Sequence, residues 1–186
     1  MNLVDTLSDI ANLLTNEDLT MDYFETFTLQ QLLFIYKKRI DGFEIGDEGN
    51  DSITGEEENE MLIGGAGDDV LNGGLGSDVL TGGEGSDRFV YNPFDSSRDD
   101  TIDLSASRDI ITDFSSSEGD KIDLSSIAED FVFIGSSDFT GTRNEVRFDD
   151  GVLQISKYYE PDSAPVPVFE IQLLGVDSLS VDDLIM

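Results

Sequence analysis

The stretch GGAGDDVLNGGLGSDVLTGGEGSDRFV, residues 64–90, decides the fold because it repeats one nine-residue phrase three times. Each unit follows the pattern G-G-x-G-x-D-x-U-x, where U is a large apolar residue. Two further units precede it in the same register, GDEGNDSIT from Gly46 and GEEENEMLI from Gly55. The unit from Gly55 keeps only its first glycine and carries Glu60 in place of the aspartate. A fixed step of this length predicts a stack of similar structural units.

Each position of the unit has a physical role. Glycine at positions one, two and four is expected to allow tight turns with positive φ, and aspartate at position six supplies an anionic oxygen. The apolar residues at position eight, expected to point inward from very short strands, are Ile53, Leu62, Leu71, Leu80 and Phe89. Such short strands cannot bury an apolar face alone, so they must stack. The block is therefore predicted to be a parallel β-helix or β-roll.

Turns of backbone carbonyls beside a carboxylate favour a hard divalent cation. Calcium accepts about 6–8 oxygen ligands in irregular geometry, whereas magnesium requires a near-ideal octahedron. Soft metals lack their preferred ligands, because the chain has no His and no Cys. Residues 46–90 carry twelve acidic side chains and one basic side chain. We expect these turns to close only around bound cations, so that binding energy becomes folding energy.

Composition excludes several classes of function. The net charge of −31 repels nucleic acids and anionic membranes, so we predict no nucleic-acid partner and no membrane insertion. No zinc motif, G-x-S-x-G sequence or phosphate loop is present, which predicts that the chain is not an enzyme. Any catalysis would lie in a missing part of a larger protein. The acidic start MNLVDTLSDI predicts that there is no N-terminal signal peptide.

The chain is predicted to have three parts. Residues 1–44 show helical spacing of apolar residues, with Gly42 as a helix stop, and are predicted to be a cap or a docking segment. Residues 45–91 form the nonapeptide roll. Residues 92–186 alternate apolar and polar side chains and predict antiparallel β structure. Within that part, EVRF-DDG-VLQIS predicts a hairpin around residues 149–151.

The repeat block resembles the repeats-in-toxin family, the haemolysin-type calcium-binding repeat proteins. The later segments GSDRFVY, DIITDF, DKIDLSSI and FEIQLLGVDSLSVDDLIM are similar to the C-terminal region of serralysin-type metalloproteases, of lipases of this family and of mannuronan epimerase R-modules. The resemblance covers about residues 46–186. It implies a mostly β fold, in which a right-handed parallel β-roll continues into an antiparallel β region after a short N-terminal helical segment. It also implies several calcium ions, each lying between one unit and the unit two steps further on.

The resemblance implies ion sites along two edges of the roll. Asp51, Asp69 and Asp87 would bridge ions along one edge, and Glu60 and Asp78 along the other. The implied backbone carbonyl ligands are those of Gly46, Glu48, Gly64, Ala66, Gly73, Leu75, Gly82 and Glu84. The aspartates implied to close the last sites after the repeats are Asp109, Asp113 and Asp120.

The resemblance further implies export by a type I secretion apparatus, with an uncleaved signal in the final residues VDDLIM. The first functional hypothesis is therefore a non-catalytic, secreted calcium-binding module that folds outside the cell. A second is a calcium-dependent domain that binds a polysaccharide or a cell surface. A third is the C-terminal part of a larger secreted hydrolase. The residues to watch for glycan binding are Tyr158, Tyr159, Arg143, Arg147 and Lys157.

Overall fold

The computed structural model describes residues 40, 42–92, 108–157, 167 and 169–186. The chain divides into two compact units, residues 1–40 and 41–186, and the fold described here is that of the second. Of the predicted helical segment, residues 1–44, residues 1–39 and 41 lie outside the described residues, and residues 42–44 belong to a strand. None of the helices in the described ranges has the length and apolar character that crossing a membrane requires.

The described residues are mostly β, as predicted, and they form two sheets. The strands are β1 (Gly42–Ile45), β2 (Ser52–Thr54), β3 (Glu60–Ala66), β4 (Val70–Asn72), β5 (Val79–Glu84), β6 (Arg88–Val90), β7 (Asp109–Ile111), β8 (Lys121–Asp123), β9 (Val132–Phe133), β10 (Glu145–Asp149), β11 (Val152–Ser156), β12 (Phe169–Leu173) and β13 (Leu184–Ile185). A 3₁₀ helix, Val181–Asp183, precedes β13. The first sheet has the order β1-β3-β5-β7-β12-β11-β10-β9, and the second has the order β13-β8-β6-β4-β2.

The second sheet is parallel throughout, and one buried column runs across it. Ile53 is in register with Leu71, Leu71 with Phe89, Phe89 with Ile122 and Ile122 with Leu184. All five side chains are buried in the hydrophobic core. The prediction that position eight points inward is confirmed, and two later segments extend the same column after the repeats end.

The first sheet builds the opposite wall of the core. Leu62 is in register with Leu80, Leu80 with Ile111, and Ile111 with Leu173. These side chains are buried in the same core cluster as the column of the second sheet. Successive nine-residue units therefore alternate between the two sheets, which is the arrangement of a parallel β-roll. This pairing lets strands of three residues bury their apolar side chains against each other.

The ends of the roll differ from the predicted division of the chain. Gly42 was predicted to stop a helix, but it is the first residue of β1, which pairs in parallel with β3. After residue 91 the strands β7, β8 and β13 continue the two parallel sheets. Antiparallel pairing joins β10 to β11 and β11 to β12. The predicted hairpin is confirmed, with Asp150 at φ 49° and Gly151 at φ 76° in its turn.

Candidate metal centre

The position-six carboxylates form a column along one edge of the roll, in the turns that connect the two sheets. The backbone N–H of Asp51 donates to Oδ1 of Asp69 at 2.8 Å, and that of Asp69 donates to Oδ1 of Asp87 at 3.0 Å. Asp87 N–H in turn donates to Oδ1 of Asp120 at 2.9 Å. Each carboxylate therefore holds the turn that lies two units before it, and Asp120 takes the last position from outside the repeats.

A second column runs along the other edge. Glu60 N–H donates to Oδ1 of Asp78 at 2.9 Å, and Asp78 N–H donates to Oδ1 of Asp109 at 2.8 Å. The structure thus arranges these acidic residues along two edges, in the order that the resemblance implies. Asp109 continues this second column, although 31 residues separate it from Asp78.

The remaining carboxylate oxygens distinguish the turns with the complete repeat pattern. Oδ2 of Asp69 and Oδ2 of Asp87 are buried and have no hydrogen-bond partner within the described structure. Oδ2 of Asp69 and the carbonyl oxygen of Gly82 both lie beside the Cα of Gly64, where a Cβ atom would stand. A buried carboxylate oxygen without a donor is costly, and a neighbouring carbonyl oxygen adds like charge. A bound cation would remove both costs.

Turns that lack the complete pattern fold their carboxylate back onto their own backbone. Oδ2 of Asp51 accepts the N–H of Asp47 at 2.8 Å, and Oε2 of Glu60 accepts the N–H of Glu56 at 2.9 Å. Asp120, which ends the first column, accepts a backbone N–H of its own loop in the same way, that of Ser115, at 2.8 Å. On this first edge, the oxygen without a donor is therefore found in the complete turns, 64–69 and 82–87.

Asp113 has a different role from the position-six residues. Its Oδ1 accepts the N–H of Gly82 at 3.0 Å, and its Oδ2 accepts the N–H of Gly83 at 2.9 Å. The carboxylate therefore caps the backbone of the last complete turn with both oxygens. The resemblance implied that Asp113 closes the last ion site, and the contacts of its two oxygens are these two N–H groups.

Glycine is required at positions two and four because the turns stack closely. Gly83 has φ +106°, and a Cβ there would collide with the carbonyl oxygen of Gly65 in the turn below. Gly85 has φ +131°, and a Cβ there would collide with the carbonyl oxygen of Gly67. Positive φ at positions two and four confirms the prediction for the three complete units, whereas Gly49, at position four of the first unit, does not have positive φ.

At position one the predicted reason for glycine is wrong. Gly64 and Gly82 do not have positive φ, but a Cβ on either would collide with the Oδ2 atom of the aspartate of the same unit. Position one is therefore glycine to leave room for the carboxylate. This explains the unit GEEENEMLI, which keeps only this glycine, Gly55, beside the carboxylate of Glu60. Its Glu56 does not need positive φ.

Burial and neighbouring negative charges raise the pKa values of several of these carboxyl groups. Burial, with smaller contributions from the charges of Asp120, Asp69 and Asp113, raises the pKa of Asp87 to about 6. Burial is also the largest cause of the raised pKa values of Asp69, Asp113, Asp120 and Glu60. A shifted pKa of this kind reports an environment that lacks positive charge.

Backbone oxygens must supply most of any metal coordination here. Within the described ranges, no three acidic side chains converge on a common point. The carbonyl of Gly64 lies beside the Asp51 carboxylate, and that of Gly73 lies beside Glu60. The Glu84 carbonyl, also an implied ligand, accepts the N–H of Gly67 at 2.8 Å. One or two carboxylates with several carbonyls make a donor set suited to calcium.

The family model described as peptidase M10 serralysin C terminal matches residues 16–186. The chain belongs to this serralysin C-terminal family. This match confirms the resemblance to the repeats-in-toxin family that the sequence showed. A search of curated proteins gives no significant match.

Solved structures similar to this serralysin C-terminal chain include two subunits of the mannuronan C5-epimerase of Azotobacter vinelandii. The AlgE6R3 subunit is 31% identical, with a TM-score of 0.46, over 78% of this chain and 83% of that one. The AlgE6R2 subunit is 29% identical, with a TM-score of 0.45, over 75% of this chain and 89% of that one.

A second polar ladder in this serralysin C-terminal chain was missed from the sequence. At position five, Oδ1 of Asn50 accepts the N–H of Asp68 at 3.0 Å, and Oδ1 of Asp68 accepts the N–H of Ser86 at 3.0 Å. On the other edge, Oδ1 of Asn59 accepts the N–H of Ser77 at 2.8 Å. The available signal was that position five is Asn, Asp or Ser in every unit. These hydrogen bonds join stacked turns, and the acceptor oxygens belong either to the neutral amides of Asn50 and Asn59 or to the exposed carboxylate of Asp68.

Proposed function

We propose that the described roll is a non-catalytic calcium-binding module whose turns close when calcium binds. The observation that carries this proposal is the pair of buried Oδ2 atoms of Asp69 and Asp87, which lack a donor in turns lined by carbonyl oxygens. Calcium would supply the missing positive charge at both places. Membership of the serralysin C-terminal family supports the same conclusion.

The proposed ligands follow the two edges of the roll. The complete turns contribute Asp69 and Asp87 on one edge and Asp78 on the other. Asp51 and Glu60 contribute at the first turns, and Asp109, Asp113 and Asp120 hold the turns at the far end. The proposed carbonyl ligands are those of Gly46, Glu48, Gly64, Ala66, Gly73, Leu75, Gly82 and Glu84.

The proposal extends to where the module folds. We propose that the chain is exported by a type I secretion apparatus and that its roll closes outside the cell, where calcium is more abundant. The net charge of −31 supports an open chain when calcium is scarce, because self-repulsion opposes a compact state. The last strand, β13, pairs with β8, so a signal in VDDLIM would be available only before the second sheet is complete.

Calcium titration of the chelator-treated protein tests the proposed function. Circular dichroism should change from a coil spectrum to a β spectrum on adding calcium and should revert on adding a chelator, because the sites exist only in the folded chain. Magnesium at the same concentration is the control and should produce little change. A chelated protein that already has the full β spectrum at low salt would refute the proposal.

The pH dependence should show that protons and calcium compete. The pKa of Asp87 is raised from 3.8 to about 6, so the compact calcium-free form binds a proton more tightly than the open chain does. The stability of that form should therefore fall as pH rises between these values. The coil-to-β midpoint of a calcium titration compares the open chain, in which Asp87 has its ordinary pKa of 3.8, with the calcium-bound roll. That midpoint should therefore stay nearly constant above about pH 5 and rise as pH falls towards 3.8, where calcium must displace a proton from the open chain. Calcium titrations by circular dichroism over a pH series measure this effect, and a midpoint that already rises near pH 6 would show that the calcium-free chain is compact.

The alternative of polysaccharide binding gains little from the arginines singled out in the sequence. Arg147 lies 3.3 Å from Asp138 and 2.8 Å from Asp149, and Arg143 lies 3.8 Å from Glu145. These guanidinium groups are already occupied by carboxylates of the same chain. Tyrosines 158 and 159 lie outside the described residues.

A further inference from the structure

A chemically labile pair of residues lies inside the roll. Asn72–Gly73 is the only Asn–Gly pair in the sequence, and it joins the last residue of β4 to position one of the fourth unit. Glycine has no Cβ, so its backbone nitrogen can approach the preceding side chain without steric hindrance. Asn–Gly pairs are for this reason the sites at which the asparagine carboxamide is most open to attack by the main chain.

The reaction needs no reagent other than water. Gly73 N attacks Cγ of Asn72, a new N–Cγ bond forms, the Cγ–Nδ2 bond breaks, and ammonia leaves. Water then opens the resulting cyclic imide at either of its carbonyls. The product at position 72 is aspartate or isoaspartate, and no group is oxidised or reduced.

The folded structure opposes this reaction at three points. Asn72 is only 9% exposed, and its Oδ1 accepts the N–H of Gly74 at 2.8 Å. Its backbone carbonyl accepts the N–H of Gly55 at 2.8 Å, and it is held in register with Thr54 of β2. Ring closure requires the backbone of Asn72 to rotate out of the extended strand conformation and its carboxamide to leave Gly74. The attack therefore needs the strand and its turn to open.

We propose that Asn72 is a site of deamidation that reacts when the roll is open and is protected when the roll is closed. This inference rests on the proposed function, because calcium is what closes the roll. A chain that stays without calcium is then marked irreversibly, whereas a loaded chain keeps its asparagine. The deamidated fraction at Asn72 therefore acts as a timer, because it increases with the time that the chain spends without calcium.

The mark should also impair later closure. Isoaspartate at position 72 inserts one additional carbon atom into the main chain between β4 and the turn that carries Asp78. That turn is stacked by the hydrogen bond from Glu60 N–H to Asp78 Oδ1 at 2.9 Å, which depends on an 18-residue register. A longer main chain shifts the carboxylate out of this register. Marked chains are expected to lose part of the calcium-induced change in circular dichroism.

The experiment incubates the full chain in mildly alkaline buffer, with saturating calcium or with a chelator. Peptide mass spectrometry measures conversion of Asn72, and an enzymatic assay measures released ammonia. Conversion should be at least about tenfold faster in chelator, because reaction in the closed form is limited to rare local openings. Asn72→Thr is the matched control, since position nine is already threonine at Thr54 and Thr81. It should keep the calcium response and form no modified product at position 72.

The outcomes separate this inference from the proposed function. Equal conversion in calcium and chelator, with the calcium-induced change in circular dichroism intact, would overturn the timer and leave the calcium module standing. A chain with no response to calcium would refute the calcium module. In that case, conversion in native buffer is compared with conversion in urea. Faster conversion in urea would support protection by the fold, and equal rates would overturn it.

Discussion

Asp87→Asn should shift the stability of the protein in opposite directions with and without calcium. In saturation experiments with calcium, the calcium concentration at the midpoint of the circular dichroism titration should rise by at least roughly 10- to 100-fold. That is the loss of affinity seen when a group that only hydrogen-bonds to a metal ligand is removed. In chelator, the compact form should gain about 1–3 kcal/mol, because a buried charge without a donor is removed. The negative charges of Asp120, Asp69 and Asp113 add to this cost. Asparagine retains an oxygen that can accept the N–H of Asp69.

Asp68→Asn is the matched control for this prediction. Asp68 is next to Asp69 in the chain, but it is exposed, and its Oδ1 accepts the N–H of Ser86 at 3.0 Å. Asparagine keeps that acceptor and nearly the same volume, so calcium affinity should change by less than about twofold, as for most surface substitutions. Equal effects of the two substitutions would show that overall negative charge, and not the buried oxygen, drives the calcium response.

Gly85→Ala should prevent the turns from stacking even when calcium is saturating. Gly85 has φ +131°, and an added Cβ would collide with the carbonyl oxygen of Gly67. The left-handed conformation costs a residue with a Cβ about 1–2 kcal/mol, and overpacking costs about 1–3 kcal/mol more. Urea unfolding in calcium should therefore show a loss of roughly 3 kcal/mol in the free energy of unfolding.

Gly49→Ala tests whether this loss depends on stacking or merely on the repeat position. Gly49 occupies position four of its unit, as Gly85 does, but its φ is not positive. The nearest atom to an added Cβ is Oδ1 of Asp47 at 3.4 Å, which is an ordinary contact. The free energy of unfolding should stay within about 0.5 kcal/mol of that of the parent protein. A loss as large as that of Gly85→Ala would contradict the stacking explanation.

The repeat block shows how far local sequence can predict this fold. The nine-residue step predicts that Leu71 and Phe89 point inward, and the resemblance places Asp69 and Asp87 on one edge; the structure has both features. Each unit repeats the same turn and the same short strand, so the geometry of one unit dictates that of the next. The inward apolar residues therefore needed no knowledge of distant contacts, and the division of the acidic residues between two edges followed from the resemblance to repeats-in-toxin proteins.

Details of the candidate site could not be predicted in the same way. The unit of Asp51 lacks the second glycine of the repeat, but the sequence alone did not show that Oδ2 of Asp51 accepts the N–H of Asp47 whereas Oδ2 of Asp69 has no donor. The donor in the first turn is the N–H of Asp47, the residue that replaces the second glycine of that unit. The role of Asp113 as a cap on the N–H groups of Gly82 and Gly83 likewise requires two segments that lie 30 or more residues apart to meet.

The repeat by itself determined the parallel roll and its inward apolar residues, because a periodic chain encodes its own stacking, whereas the two acidic edges were implied by the resemblance to repeats-in-toxin proteins. The extension of the roll past residue 91 was decided by tertiary contacts. There, β7 pairs with β5, β8 with β6 and β13 with β8, although the sequence of these later strands does not contain the repeat. Their pairing depends on long-range burial of Ile111, Ile122 and Leu184 against columns that the repeats had already formed. Contacts between segments so far apart in the chain cannot be predicted from a repeat that relates only neighbouring residues.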